Sequence, residues 1–295
     1  MGSSLAIQPA MTDTLANLPP LKDVIRMHEL QAKKSLGQHF LLDGRITDDI
    51  ARYAGDLSAC HVIEVGPGPG GLTRSLLRGG ALHVHVIEKD VRCLALLEEL
   101  RQAAPGRLSV HNDDALKFDY SAIPSPRKIV ANLPYNVGTL MLLNWLDMIY
   151  RDPGSFTSLT LMFQKEVTER IIAAHGNKDY GRLSVLCQWL CDVRTDMTLP
   201  PGAFVPPPAV SSAVVTLTPR ATPLVDVKKE TLEKVMAAAF GQRRKMLRKA
   251  LKPTSNDVEA LLASAGIDPT WRAEQVDVRT LCALARAYQE QAAGL

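Results

Sequence analysis

Apolar residues in this chain gather in short continuous runs, with stretches of three- and four-residue periodicity between them. The runs within 61–65, 84–88, 108–111 and 128–132 are too short for helices and predict buried strands. Strands that alternate with helical segments argue for an α/β fold built on a parallel sheet. A further strand is predicted near Ser158 to Met162, and a helix near Gln164 that carries a solvated face with Glu166, Glu169 and Arg170. A helix over Arg182 to Leu190, a strand near 192–198 and a last strand over Ala213 to Leu217 follow. Pro219 and Pro223 bracket a polar linker. Beyond it Leu232 to Leu251, Asp257 to Ala265 and Val278 to Gln291 predict helices of a small helical domain. At the other end, Leu21 to Lys34 predicts a helix leading into Gly37-Gln38-His39-Phe40-Leu41.

The ends of the strands carry the polar chemistry. The first runs into Gly66-Pro67-Gly68-Pro69-Gly70-Gly71, where a helix begins. Glycines let backbone approach a ligand closely, and a helix N-terminus offers free N–H groups. The second ends in Glu88, whose carboxylate suits two ribose hydroxyls. NAD-binding folds use a similar loop and acid. The third is followed by Asp114, an acceptor for an adenine amine, and the fourth ends in Asn132-Leu133-Pro134-Tyr135. The ordered set Gly66, Glu88, Asp114 and Asn132 fits S-adenosylmethionine better than NAD. An adenine amine is a poor nucleophile because its lone pair is delocalised into the ring. A site that uses it must accept hydrogen bonds from its two N–H groups. The Asn132 amide oxygen and a backbone carbonyl held by Pro134 meet that need, and Tyr135 can stack on the base. The bland alternative is a strand followed by a turn, since Asn and Pro are ordinary turn residues. Phe204 sits in the stiff loop Pro200–Pro208, placed to stack on an extruded base or else to plug the core.

Charge adds a second surface. Residues 1–224 hold 22 basic and 22 acidic side chains, while 225–295 hold 12 and 9, so the tail supplies the whole net charge of +3. Phe240 to Lys252 carries Arg243, Arg244, Lys245, Arg248, Lys249 and Lys252 with no acid. Apolar residues at helical spacing predict one amphipathic helix there with a positive stripe for an RNA backbone. The five cysteines form no CxxC pair, which favours core packing over a metal site. No apolar stretch approaches the ~18 residues of a membrane helix. Residues 1–20 lack the features of a signal or transit peptide and read as a disordered extension, and the cytosol is the expected compartment.

The motifs together resemble the ribosomal RNA adenine dimethyltransferase family. They are Lys34-Ser35-Leu36-Gly37-Gln38-His39-Phe40-Leu41, the glycine turn, Glu88, Asp114, Asn132 to Tyr135, Tyr180 to Ser184, Phe204 to Val215, and Phe240 to Lys245. His39 stands where many relatives have Asn. The resemblance implies a class I, Rossmann-like methyltransferase sheet with an antiparallel last strand. It implies a catalytic domain over 21–222 and a helical RNA- or ribosome-binding domain over 223–295. S-adenosylmethionine would be bound by His39, Leu41, Gly66, Gly68, Glu88, Asp114 and Asn132. Asn132, Pro134, Tyr135 and Phe204 would serve catalysis, and Arg243, Arg244, Lys245, Arg248 and Lys249 would bind RNA. The implied activity is N6,N6-dimethylation of two adjacent adenosines in a hairpin loop near the 3′ end of small-subunit rRNA, within an assembling 30S-type subunit. A monomer without metal or membrane partner is expected. Three alternatives are a large-subunit rRNA methyltransferase that confers antibiotic resistance, a non-catalytic nucleic-acid-binding or assembly factor of the same fold, and a DNA adenine methyltransferase, which the whole-chain match disfavours.

Overall fold

The computed structural model describes residues 15, 17–33 and 37–294, and they form two compact units. The first runs to Pro134 and takes in Pro201–Ala209; the second comprises Tyr135–Pro200 and the chain from Val210. The expected domain boundary at 222/223 falls inside the second unit. Most of the extension expected over 1–20, and Lys34, Ser35 and Leu36 of the first motif, lie outside the described residues. Pro19 and Pro20 lie within them: the Pro19 carbonyl accepts a hydrogen bond from Arg74, and Pro20 precedes the first helix.

The first unit contains α1 (Leu21–Met27), β1 (Phe40–Leu41) and α2 (Gly44–Tyr53). Then come β2 (His61–Val65), α3 (Gly71–Arg78), β3 (His83–Ile87), α4 (Leu94–Ala103), β4 (Leu108–His111) and β5 (Arg127–Asn132). Strands β2 to β5 are parallel in the order β4-β3-β2-β5, as their apolar runs predict. Val62, Ile63, Val84, Val86, Ile129 and Val130 are completely buried. Near-continuous apolar strands of this kind belong to sheets covered on both faces. The register pairs Val65 with Ile87, Ile87 with His111, and Ile63 with Ile129, so the carboxyl ends of all four strands share one edge. Helix α1 stops seven residues short of the expected Lys34, because Glu29 adopts a left-handed φ of 49° just after it.

The second unit contains α5 (Gly138–Arg151), β6 (Ser158–Gln164), α6 (Lys165–Ile172), α7 (Arg182–Leu190) and β7 (Cys191–Leu199). After the return of the chain through β8 (Phe204–Val205) in the first unit come β9 (Ser212–Pro219), α8 (Lys229–Gly241), α9 (Leu247–Ala250), α10 (Val258–Ser264) and α11 (Val278–Ala292). Strand β9 lies antiparallel between β6 and β7, as expected of the last strand. The single helix expected over Leu232 to Leu251 is two helices with a turn between them. A continuous helix would align Arg244 with Arg248 and Lys245 with Lys249 at four-residue spacing, where like charges repel. Instead the chain leaves α8 after Gly241, Phe240 packs edge-on against Tyr180, and Arg243 turns back to donate to the Lys178 and Tyr180 carbonyls.

Four histidines form a cluster on the parallel strands that hydrophobic patterning does not anticipate. His61 Nδ1 lies 3.0 Å from His85 Nε2, and His85 Nδ1 lies 3.3 Å from His111 Nε2. His83 stacks at a tilt beside His85 and hydrogen-bonds Ser109. Burial, then the neighbouring imidazoles, depress the His85 pKa to about 3. A free histidine titrates near 6.5, so below that pH the unfolded chain binds the extra proton. The stability held by neutral His85 is therefore full above about pH 6.5 and is lost as pH falls towards about 3. Thermal melts should show Tm dropping between about pH 7 and pH 5, with a shallower drop in His85→Leu. An unchanged slope in the variant would place the acid sensitivity elsewhere.

Candidate functional site

The site in the first unit is built where β2, β3 and β5 end. Gly66 and Gly68 have φ of 66° and 54°, the left-handed region that glycine enters without a Cβ penalty. A Cβ on Gly68 would stand 3.2 Å from the Phe40 ring, and one on Gly66 would stand 3.8 Å from the Pro134 ring. Thus β1 and Pro134 both close on the glycine turn. A Cβ on Gly71, the first residue of α3, would be 2.8 Å from the Leu41 carbonyl, so that helix starts hard against β1.

Glu88 fixes the turn electrostatically. Its Oε2 accepts from the Gly68 amide at 3.0 Å and its Oε1 from the Asp90 amide at 2.7 Å. Burial pushes its pKa up, and these two backbone donors oppose the rise. Each carboxylate oxygen has a second lone pair. Asn112 donates to the Glu88 carbonyl at 2.9 Å, tying the end of β4 to the end of β3. Glu64, in the strand before the turn, accepts from Thr73 Oγ1 at 2.6 Å, and burial lifts its pKa to about 8. Asp114 is more open: Lys89 sits 2.9 Å from Oδ2, the Leu116 amide donates to Oδ1, and these contacts lower its pKa.

Asn132 Nδ2 donates to the His39 carbonyl at 3.2 Å. A carbonyl can only accept, so the amide nitrogen must face His39 and the Asn132 oxygen must point the other way. His39 in turn meets the Pro206 carbonyl through Nδ1 at 2.8 Å. Strand β1 pairs with β8, Leu41 opposite Phe204 and Phe40 opposite Val205. The structure therefore gathers Gly66, Gly68, Glu88, Asn132, Pro134, His39 and Leu41 around one turn. Leu41 is buried in that packing. Asp114 reaches the group through Lys89, the residue after Glu88.

Two expectations need correction. Phe204 is 2 % exposed, so its ring fills the core beneath the β1–β8 ladder and presents no face for stacking. Within the proline-rich loop the two residues Phe204 and Val205, just before Pro206, form a short strand. Arg243 is not part of an RNA-facing stripe, because its guanidinium is held by two backbone carbonyls. Arg244, Lys245 and Lys249 are exposed and Arg248 is half-buried. Tyr135, the first residue of the second unit, is half-buried, and its hydroxyl lies 2.6 Å from Ser212 Oγ within that unit. All five cysteines are free and buried, and among the described residues no cluster of His, Cys, Asp and Glu is arranged to hold a metal ion.

One network has no signature in the sequence. Asp90 is buried; it accepts from Gln38 Nε2 at 2.8 Å and is gripped by Arg92. Arg92 also donates to the Gln31 carbonyl. These bonds clamp the Gly37–Leu41 segment onto the end of β3. The acid directly after Glu88-Lys89 and the amide of Gln38 are visible in the sequence, but nothing there pairs residues 52 positions apart.

A glycine turn and an acid at successive parallel strand ends, with an Asn at the fourth, form the arrangement of a class I methyltransferase. The model of the ribosomal RNA adenine dimethylase family matches residues 29–290, and the chain belongs to that family. It is 56 % identical to ribosomal RNA small subunit methyltransferase A of Roseobacter denitrificans, over 93 % of this chain and 98 % of that one. With the Ruegeria pomeroyi protein of the same name it shares 58 % identity over 91 % and 96 % of the two chains. A dimethyladenosine transferase structure from Plasmodium falciparum has the same fold, with TM-score 0.72 and 24 % identity over 87 % of this chain and 99 % of that one. The 23S rRNA methyltransferase ErmE structure gives TM-score 0.65 and 26 % identity over 85 % and 99 %.

The clamp makes a testable demand. Asp90→Ala leaves Gln38 and Arg92 without their acceptor and should cost about 1–3 kcal/mol in denaturant unfolding at neutral pH. The Arg92 contact holds the Asp90 pKa down at about 2, against 3.8 for a free aspartate. The wild-type advantage should therefore be full above about pH 4 and fade as pH falls towards about 2. Equal stability of the two proteins at neutral pH would refute the clamp.

Proposed function

We propose that this chain transfers methyl groups from S-adenosylmethionine to N6 of two adjacent adenosines in a hairpin loop near the 3′ end of small-subunit rRNA, giving N6,N6-dimethyladenosines. Family membership supports the reaction, and the one structural observation that carries the reading is the Asn132 amide, whose nitrogen is committed to the His39 carbonyl so that its oxygen points away from that carbonyl. The turn fits the cofactor: Gly66 and Gly68 leave no Cβ over it, and Glu88 keeps lone pairs for ribose hydroxyls after binding Gly68 and Asp90. Asp114, already acting as an acceptor, would take the adenine amine of the cofactor, with His39 and Leu41 closing the site.

The cofactor supplies an electrophilic methyl group on a sulfonium. The protein supplies alignment. The Asn132 oxygen accepts one N–H of the target amine, the backbone carbonyl at Pro134 accepts the other, and Tyr135 stacks on the base. The proton on the alkylated nitrogen is acidic and leaves to water, so no tuned general base is required. A second transfer needs the monomethyl amine to rotate and present its remaining N–H. Phe204, covered as found, has the part of holding β8 against β1 in this scheme. Arg244, Lys245, Arg248 and Lys249, in the helical part over 223–295, contact rRNA phosphates. The substrate is an assembling 30S-type subunit in the cytoplasm, where unstacked loop bases are the accessible targets, and a single copy of the chain suffices.

The decisive experiment incubates the protein with labelled S-adenosylmethionine and undermethylated small or large ribosomal subunits, then maps the label. Label in the large subunit alone overturns the substrate. Asn132→Ala should retain cofactor binding by calorimetry while turnover falls at least ~10²-fold, the scale of a missing transition-state hydrogen bond; near-normal turnover would remove Asn132 from the mechanism. Arg244→Gln/Lys245→Gln should weaken subunit binding and flatten its log–log salt dependence by roughly 0.7 to 0.9 for each phosphate no longer neutralised. Coincident salt slopes would make the turn a merely solvated surface.

A further inference from the structure

The chain has three tryptophans, and they occupy opposite environments. Trp145 and Trp189 are 1 % and 0 % exposed, whereas Trp271 is 40 % exposed. A half-bare indole is usually explained by packing along one face, but the backbone that carries it is unusually well fixed. The Trp271 amide donates to the Asp268 carbonyl at 3.0 Å. Thr270 donates to the Asp268 carboxylate through both its amide and its hydroxyl. On the following side the Arg272 amide donates to Gln275 Oε1 at 2.8 Å.

This loop is docked onto the basic turn. The Leu247 amide donates to the Trp271 carbonyl at 2.7 Å, and the Arg248 amide donates to the Pro269 carbonyl at 3.3 Å. The backbone of Trp271 thus abuts the first residues of α9, directly after Arg244, Lys245 and Met246. Met246 is also partly bare, at 37 %. Arg244, Lys245, Lys249, Lys252 and Arg272 are exposed, and no acid occurs from Gly241 to Ser255. Asp268 is the acid of the docked loop; its carboxylate is committed to Thr270, and the positive charge of Arg248 contributes to its lowered pKa.

We propose that Trp271 is a stacking platform for one unpaired nucleobase of the rRNA, whose flanking phosphates are held by the surrounding cations. The inference rests on the reading that this chain acts on ribosomal RNA, and it adds a base contact outside the methyl-transfer site. A bare π-face inside a cationic field is the combination that single-stranded nucleic acid requires. Two partly exposed apolar side chains do not make the broad apolar patch that a protein partner or a lipid surface would use. The fixed loop also means that little backbone ordering is still to be paid on binding.

The distribution of tryptophans supplies the probe. With Trp145 and Trp189 buried, a change in intrinsic fluorescence on adding a short oligouridylate reports on Trp271. Uridine carries a π-face but lacks the adenine that the methyl-transfer site would take. The full-length protein should be quenched by the oligouridylate and not by an abasic oligomer with the same number of phosphates. Trp271→Leu should abolish the quench and weaken oligouridylate binding by about fivefold or more, the lower bound for one stacked base, with an unchanged salt slope. Trp271→Phe, which keeps a ring, should retain most of the affinity, and thermal melts of both variants check that the loop still folds. Equal quenching by the abasic oligomer, or wild-type affinity in Trp271→Leu, overturns the platform. These outcomes are separate from those of the parent reading. If subunits are methylated normally and Arg244→Gln/Lys245→Gln shows its reduced salt slope while Trp271→Leu binds as wild type, only the platform fails. If no rRNA is methylated at all, the parent reading fails whatever the oligouridylate does.

Discussion

The hydrogen bond from the Gly68 amide to the buried Glu88 carboxylate is the interaction on which the site depends. It joins the turn after β2 to the end of β3. A buried carboxylate without donors would be costly, and a left-handed glycine without an acceptor for its amide would leave an orphan. Each removes the liability of the other. Both glycines hold a left-handed φ that disfavours a side chain, and at Gly68 the Phe40 ring, 3.2 Å from where a Cβ would stand, crowds the position as well. The Gln38–Asp90–Arg92 clamp acts one layer out, keeping the segment before β1 in register with the same strand end.

The parallel strands were legible because burial on two faces forces continuous apolar runs, and the observed ends differ from the expected ones by at most one residue. The candidate site residues at the strand ends were legible for a related reason: a polar residue that interrupts such a run at its carboxyl end has few structural uses. What was not legible depends on partners distant in sequence. Whether Phe204 stacks or packs is decided by Leu41 and Phe40, more than 160 positions away, and a proline-rich loop gives no sign that two of its residues will pair with them. The break after Gly241 leaves no trace in the pattern because hydrophobic spacing persists across it. The competing pull, from the Lys178 and Tyr180 carbonyls on Arg243, lies in another part of the chain.

That same break divides a run of like charges by role. Arg243 is spent on the fold, while Arg244 and Lys245 project from the turn and Arg248 and Lys249 begin again on a short helix. A basic run read only as total charge hides this division. Neutralising all of it at once would mix a loss of local structure with a loss of electrostatic attraction, and the two respond differently to salt: screening weakens attraction to phosphate but leaves a guanidinium–carbonyl bond largely untouched.

The imidazole chain across β2, β3 and β4 has a consequence for proton placement. His85 uses both ring nitrogens, one towards His61 and one towards His111. A neutral imidazole has one N–H and one bare nitrogen, so if His85 donates to His61 it must accept from His111, and the reverse holds if it donates to His111. The three rings therefore share a single binary choice of tautomer. Exchange between the two states requires all three to switch in concert, and the ring nitrogens of His61, His85 and His111 behave as one three-residue dipole that points along the sheet in one direction or the other.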